Sequence, residues 1–158
     1  MGGLIAGTLS APYLANGDLK SQAIFVTCTG VGSLLPDIDS IHSKIGRAFL
    51  PVSAAMQLVF GHRGIFHTLL FPIVLSLILI LCHFFSANIV FLLPLLIGYI
   101  SHLLLDLFNP EGVPLLWPLD IKFSVPLAET GSFMERIVFV FLVFAEVSLI
   151  YPKIKGII

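Results

Sequence analysis

The sequence predicts an all-α fold, an integral membrane bundle of four or five apolar helices forming a single domain over residues 1–158. Three observations lead there. The chain of 158 residues is 58% hydrophobic and only 11% charged, where a soluble domain averages roughly 45–50% apolar and about 25% charged. Its mean hydropathy is +1.07. Its apolar residues are gathered into runs that approach the ~20 residues needed to cross roughly 30 Å of hydrocarbon, and the polar residues collect in the connections between them. Such a composition excludes a disordered chain. Eight Lys+Arg against nine Asp+Glu, a net charge of −1, leave no basic stripe to neutralise phosphates, which excludes a nucleic-acid partner.

Taken in order, residues 3–15 and 23–35 are two glycine-rich apolar runs separated by Asn16-Gly17-Asp18, a turn signal. Each is shorter than a usual span, so they read as a partly inserted helical hairpin or as two short, closely packed helices. No basic segment precedes the first run, which therefore reads as a retained helix rather than a cleaved signal. Residues 36–66 read as a polar, interfacial connection. Residues 68–85 carry no Asp, Glu, Lys or Arg, and Pro72 falls in the opening turns where a missing N–H costs least; this is a clean span. The second clean span is 89–108, whose first formal charge is Asp106. Residues 109–132 form a Pro- and Gly-rich loop, and Trp117 within it reads as an interface anchor. The last helix covers 137–151 and extends back through Phe133 and Met134 if it tolerates Glu135 and Arg136. Lys44, Arg47, Arg63, Lys122 and Arg136 fall on the side of the two long loops, against Lys20, Lys153 and Lys155 opposite, which places those loops in the cytoplasm by the positive-inside rule. Cys28 and Cys82 lie in apolar runs without Cys-x-x-Cys spacing and read as small buried hydrophobes.

In a chain so poor in charge, the ionisable residues near apolar runs are informative, because an ionised group at the bilayer centre costs at least ~2.5–3.5 kcal/mol. Asp37 and Asp39, in Pro36-Asp37-Ile38-Asp39, have a spacing that lets two carboxylates converge on one cation; the plain alternative is a solvated helix terminus with an Asp cap. His62 and His67 flank Arg63 and Gly64 at the entrance to the 68–85 run. Neutral imidazoles there suit a metal, and Arg63 suits a pair of phosphate or carboxylate oxygens. His102 and Asp106 stand at i and i+4, on one face of a helix, as ligands or as a structural pair. Glu135 reads first as an N-terminal charge favoured by the helix dipole and second as a further site carboxylate. His42 reads as part of a solvated turn with a residual claim as a spare ligand. His83 sits at the far end of its helix, and Glu146 has no evident partner. Asp37, Asp39, His62, His67, His102 and Asp106 all fall at same-side ends of three apolar segments, an N/O donor set suited to zinc, manganese or iron.

The strings GSLLPDIDS at 32–40, GHRGIFHTLL at 61–70, GYISHLLLDLFNPEGVPLLWPL at 98–119 and VPLAETGSFMERIV at 125–138 resemble the LexA-regulated, membrane-bound metal-dependent hydrolases (YdjM-like). That resemblance implies a multi-pass protein of the cell's inner membrane with a divalent metal, zinc favoured over manganese, at Asp37, Asp39, His62, His67, His102 and Asp106. The family's distant similarity to zinc-dependent phospholipases C implies hydrolysis of a phosphoester. One departure is Ser40-Ile41-His42 after Asp39, where a His/Asn-Pro-like turn is more usual. The sequence-based expectation is a hydrolase acting on an amphipathic, lipid-like phosphoester at the bilayer surface, with Arg63 binding a phosphoryl oxygen and Asp37, Asp39 or Glu135 as general base. The alternative is a divalent-metal transporter or sensor without turnover. Ligands gathered at one end beside an arginine favour catalysis.

Overall fold

The computed structural model describes residues 2–14, 19–60, 65–84, 91–119, 121–125 and 132–155. Among them are seven α-helices: α1 (Gly2–Leu14), α2 (Leu19–Gly32), α3 (Lys44–Ala48), α4 (Leu50–Phe60), α5 (Leu70–Phe84), α6 (Leu92–Asp106) and α7 (Phe133–Lys155). Two short 3-10 turns, Pro36–Asp39 and Ile65–His67, join them. Extended structure among the described residues is limited to an antiparallel bridge between Val113 and Phe123. The all-helical class follows the sequence-based expectation.

Small residues set how the helices meet. A Cβ built on Gly98 of α6 would fall on the carbonyl oxygen of Thr29 in α2, and one on Gly32 would fall on the carbonyl of Leu95. The two backbones therefore touch, as at small-residue helix crossings in membranes. α1 lies against both α2 and α6, α5 packs on α6, and α7 lies on α1. Hydroxyls within these apolar helices donate back to the preceding turn: Thr8 to the Leu4 carbonyl, Thr27 to Ala23, Thr29 to Phe25 and Ser76 to Pro72. Each thus satisfies its donor without water.

Burial is inverted relative to a water-soluble domain. Thr8, Thr29, Ser33, Asp39, Ser53, His67 and Thr68 are buried, whereas α5 exposes Ile73, Leu77, Ile80 and Phe84, and α7 exposes Phe139, Val140, Phe141 and Phe144. A small apolar core of Tyr99, Leu103 and Val113, flanked by Leu35, Phe71, Leu107 and Leu115, sits beneath the candidate site. Apolar side chains turned outward over several helices are far more than a water-facing surface ordinarily carries.

Several expected elements are corrected. The run 68–85 begins its helix only at Leu70, because the Thr68 hydroxyl donates to the Ile65 carbonyl at 2.7 Å and accepts from the Leu70 N–H at 3.2 Å, closing a turn. The run 89–108 ends its helix at Asp106, where Phe108 and Asn109 fold into turns on the carbonyls of Leu105 and Asp106. α5 and α6 are 15 residues each, about 22 Å at the 1.5 Å helical rise. Among the described residues no helix is long and apolar enough to cross a membrane. α7, though 23 residues long, includes Glu135, Arg136, Glu146, Lys153 and Lys155. The connection 36–66, expected to be polar and interfacial, contains α3 and α4; Ser43 caps α3 by accepting from the Gly46 N–H at 2.7 Å, and α4 exposes Leu50, Val52, Leu58 and Val59. Helices thus outnumber the four or five expected. The paired N-terminal helices are present as α1 and α2, and their expected turn, Asn16-Gly17-Asp18, lies outside the described residues.

Candidate metal centre

Three chain-distant segments carry ionisable side chains to one point beside the core. The close α2–α6 crossing brings the end of α2 against α6, so the 3-10 turn that continues from α2 delivers Asp37 and Asp39 beside His102 and Asp106. Pro36 starts that turn with its φ already suited to it. The Ser43 hydroxyl holds the turn by donating to the Asp37 carbonyl at 2.7 Å. The second 3-10 turn ends on His67.

Asp37, His67 and His102 each offer one donor atom, and these atoms lie within 4.8 Å of one another. Asp106 sits between the imidazoles: its Oδ2 is 3.5 Å from His67 Nε2 and 3.4 Å from His102 Nε2. Asp37 Oδ1 is 3.8 Å from His102 Nε2. Asp39 stands on the other side of His67, its Oδ2 3.3 Å from Nδ1. The two rings meet edge to face, 5.8 Å between centroids. A 3-10 turn has about three residues per revolution, so Asp37 and Asp39, two apart, cannot point the same way. One faces His102 and the other backs His67.

Burial grades across the cluster. The side chains of Asp39 and His67 are 1% and 3% exposed, those of His102 and Asp106 17% and 26%, and that of Asp37 36%, so the cluster is sealed behind Asp39 and opens at Asp37. Burial pushes the Asp37 carboxyl above its ordinary value; His102 and His67 pull it down, and the neighbouring Asp106 and Asp39 carboxylates push it up again. Among the described residues Asp39 Oδ1 is buried without a hydrogen-bond partner, although a buried polar atom normally has one, and the buried His102 Nε2 faces the Asp106 and Asp37 carboxylates at 3.4 and 3.8 Å. Asp37, Asp106 and the two imidazoles at one point, with Asp39 backing His67, fit a divalent cation. The mixed N/O chemistry is that of zinc or manganese.

His62 and Arg63 lie outside the described residues. Glu135 belongs to the first turn of α7, and its side chain lies outside what the structure describes. His42 is exposed. Sequence reasoning overlooked Tyr99, fully buried, whose hydroxyl donates to the carbonyl of Phe66, the residue before His67. Its ring stacks on Phe71 at 4.8 Å. The available signal was a lone phenol in an apolar run three residues before His102. Tyr99→Phe is expected to leave the Phe66 carbonyl without its donor and to cost about 1–3 kcal/mol, read as a lowered midpoint of thermal unfolding in detergent.

An all-helical protein with an outward apolar surface and a half-buried carboxylate–imidazole cluster defines a class: a membrane protein with a candidate metal centre. The chain matches the family described as YdjM inner membrane protein over residues 1–157, and it belongs to that family. It is 36% identical over 160 residues to the uncharacterized protein YvsG of Bacillus subtilis (strain 168), covering 99% of this chain and 94% of that one. It is also 36% identical over 134 residues to the inner membrane protein YdjM of Escherichia coli (strain K12), covering 80% of this chain and 65% of that protein, with the same figures for YdjM of Shigella flexneri. No solved structure matches the chain.

Proposed function

We propose that this protein is a membrane-bound metal-dependent hydrolase that cleaves a phosphoester of an amphipathic, lipid-like substrate. The observation that carries the reading is the meeting of Asp37, His67, His102 and Asp106, from three separate segments, with their donor atoms turned toward one another. These four residues would hold the cation, with His62 as a further candidate from the sequence. A divalent cation there supplies Lewis acidity, polarising a phosphoryl oxygen and lowering the pKa of water.

The chain's own residues have separate tasks. Asp39 fixes the His67 ring through Nδ1, which turns Nε2 toward the cluster. Asp37, the most open of the three carboxylates, would offer one oxygen to the cation and keep the other to take a proton from water, whereas Asp39, sealed behind His67, would not reach it. Arg63 is assigned a substrate phosphoryl oxygen from its sequence position between His62 and Gly64. A bundle with apolar side chains on its outside holds a lipid tail in the bilayer while the head group reaches the cluster.

The test is elemental analysis of detergent-purified protein, wild type beside His102→Ala and Asp106→Ala, prepared without chelator. Near-stoichiometric zinc or manganese in the wild type and its loss from both variants is the expected result, followed by release of phosphate-bearing head groups from lipid substrates. Equal metal in all three would end the metal reading, and metal without turnover would favour a transporter or sensor.

A further inference from the structure

The segment that follows Asp106 is built as an apolar hairpin. Val113 and Phe123 exchange N–H to carbonyl hydrogen bonds at 2.9 and 3.0 Å, the Val125 N–H donates to the Leu107 carbonyl at 2.7 Å, and the Ser124 hydroxyl donates to the Asn109 carbonyl at 2.8 Å. Gly112 turns the chain at a φ of 70°, where a side chain would be strained. The inward residues Val113 and Leu115 join the core around Tyr99. Leu116, Trp117, Leu119, Ile121, Phe123 and Val125 are all exposed.

We propose that this hairpin, residues 107–119 with 121–125, is a bilayer-anchoring element that seats Trp117 at the head-group level and holds the adjoining cluster at the membrane surface. The occupant of the apolar face is lipid. Six large apolar side chains exposed on one element exceed what scattered surface hydrophobics provide, and the chain belongs to an inner membrane protein family. Tryptophan is the side chain best suited to the boundary of acyl chain and head group. Lys122, exposed between Ile121 and Phe123, supplies a positive charge that complements anionic head groups.

The hairpin is tied to both halves of the cluster. It begins one residue after Asp106, and the Leu69 N–H, two residues beyond His67, donates to the Leu115 carbonyl at 2.9 Å. That bond ties the hairpin to the start of α5, where Leu69, just before the helix, and Leu70 and Ile73 within it are exposed as well. Anchoring the hairpin therefore sets the height of His67 and Asp106 relative to the head groups. This inference rests on the membrane location of the family and not on metal binding or turnover.

Trp117 is the single tryptophan of the chain, which makes it the probe. The full chain, reconstituted in phosphatidylethanolamine–phosphatidylglycerol liposomes in the presence of chelator, is compared with brominated lipids labelled either near the head group or near the acyl-chain end. The shallow label is expected to quench Trp117 several-fold more than the deep one. A second chain, Trp117→Phe with Phe123→Trp, is expected to give the same order. Absence of quenching by either label, or stronger quenching by the deep one, overturns the proposal. Because the cation is removed throughout, a failure here is separate from a failure of the hydrolase reading.

Discussion

Asp39→Asn is expected to lower zinc affinity by about 10–100-fold, the usual loss when the group that orients a metal-bound imidazole is altered, and at the same time to leave the metal-free protein as stable as the wild type or more so. The two signs come from one geometry. Asp39 is 1% exposed, its Oδ2 lies 3.3 Å from His67 Nδ1 and its Oδ1 has no hydrogen-bond partner among the described residues. In the metal-free protein that carboxylate is one of three in a partly desolvated cluster, and burying an underpaired charge is costly. The amide keeps the shape and removes the charge. With the cation present the balance reverses, because the carboxylate strengthens His67 as a donor and holds its tautomer, whereas the amide does so only as a neutral acceptor. Competition against a chromophoric chelator reads the affinity, and thermal unfolding with and without zinc reads the stability. Unchanged affinity, or a drop in metal-free stability, would show that Asp39 serves only to hold the fold.

That prediction also marks how much of the site the sequence made legible. The i, i+4 pair His102 and Asp106 was readable because helical periodicity alone puts both on one face, and the structure places both Nε2 and Oδ2 in the cluster. The Asp37–Asp39 pair was readable as chemistry but not as geometry. Whether two acids two residues apart converge depends on the turn, and the 3-10 turn started by Pro36 separates them. The N-terminal helix pair was legible from glycine-rich runs about an unmistakable turn signal. Helix limits were not: Thr68 is apolar enough to be counted into a span by hydropathy, yet its hydroxyl closes the turn that delays α5 to Leu70. α3 escaped notice because Ser40, Ser43, Lys44 and Arg47 dominate the composition around it, although Ser43 is in fact a helix cap, and α4, apolar but only 11 residues long, is too short to be counted as a span. Tyr99 was hidden by a different cause, since its role depends on the Phe66 carbonyl, 33 residues away in the chain.

Gly98→Leu is expected to abolish folding, and Gly98→Ala to destabilise the protein by about 3 kcal/mol, near the upper end of ordinary overpacking. Alanine is the better helix former by up to ~1 kcal/mol, so intrinsic propensity argues the opposite way; the steric term decides. A Cβ at position 98 meets the Thr29 carbonyl oxygen directly and lies 2.8 Å from the Ser33 backbone nitrogen. Both obstacles are backbone, so no rotamer change relieves them. The helices must part, and parting α2 from α6 moves the Pro36–Asp39 turn away from His102 and Asp106, because only residues 33–35 separate that turn from the end of α2. Gly98→Ala is therefore expected to lose metal affinity as well as stability, although residue 98 carries no donor. Thermal unfolding in detergent and chelator competition on the same preparation test this together. Ile100→Ala, on the exposed face of the same helix, is the control and should change stability by no more than about 0.5 kcal/mol. Loss of stability with unaltered affinity in Gly98→Ala would mean that the cluster is held by Ser43 and the 3-10 turn itself, and that the α2–α6 crossing does not position it.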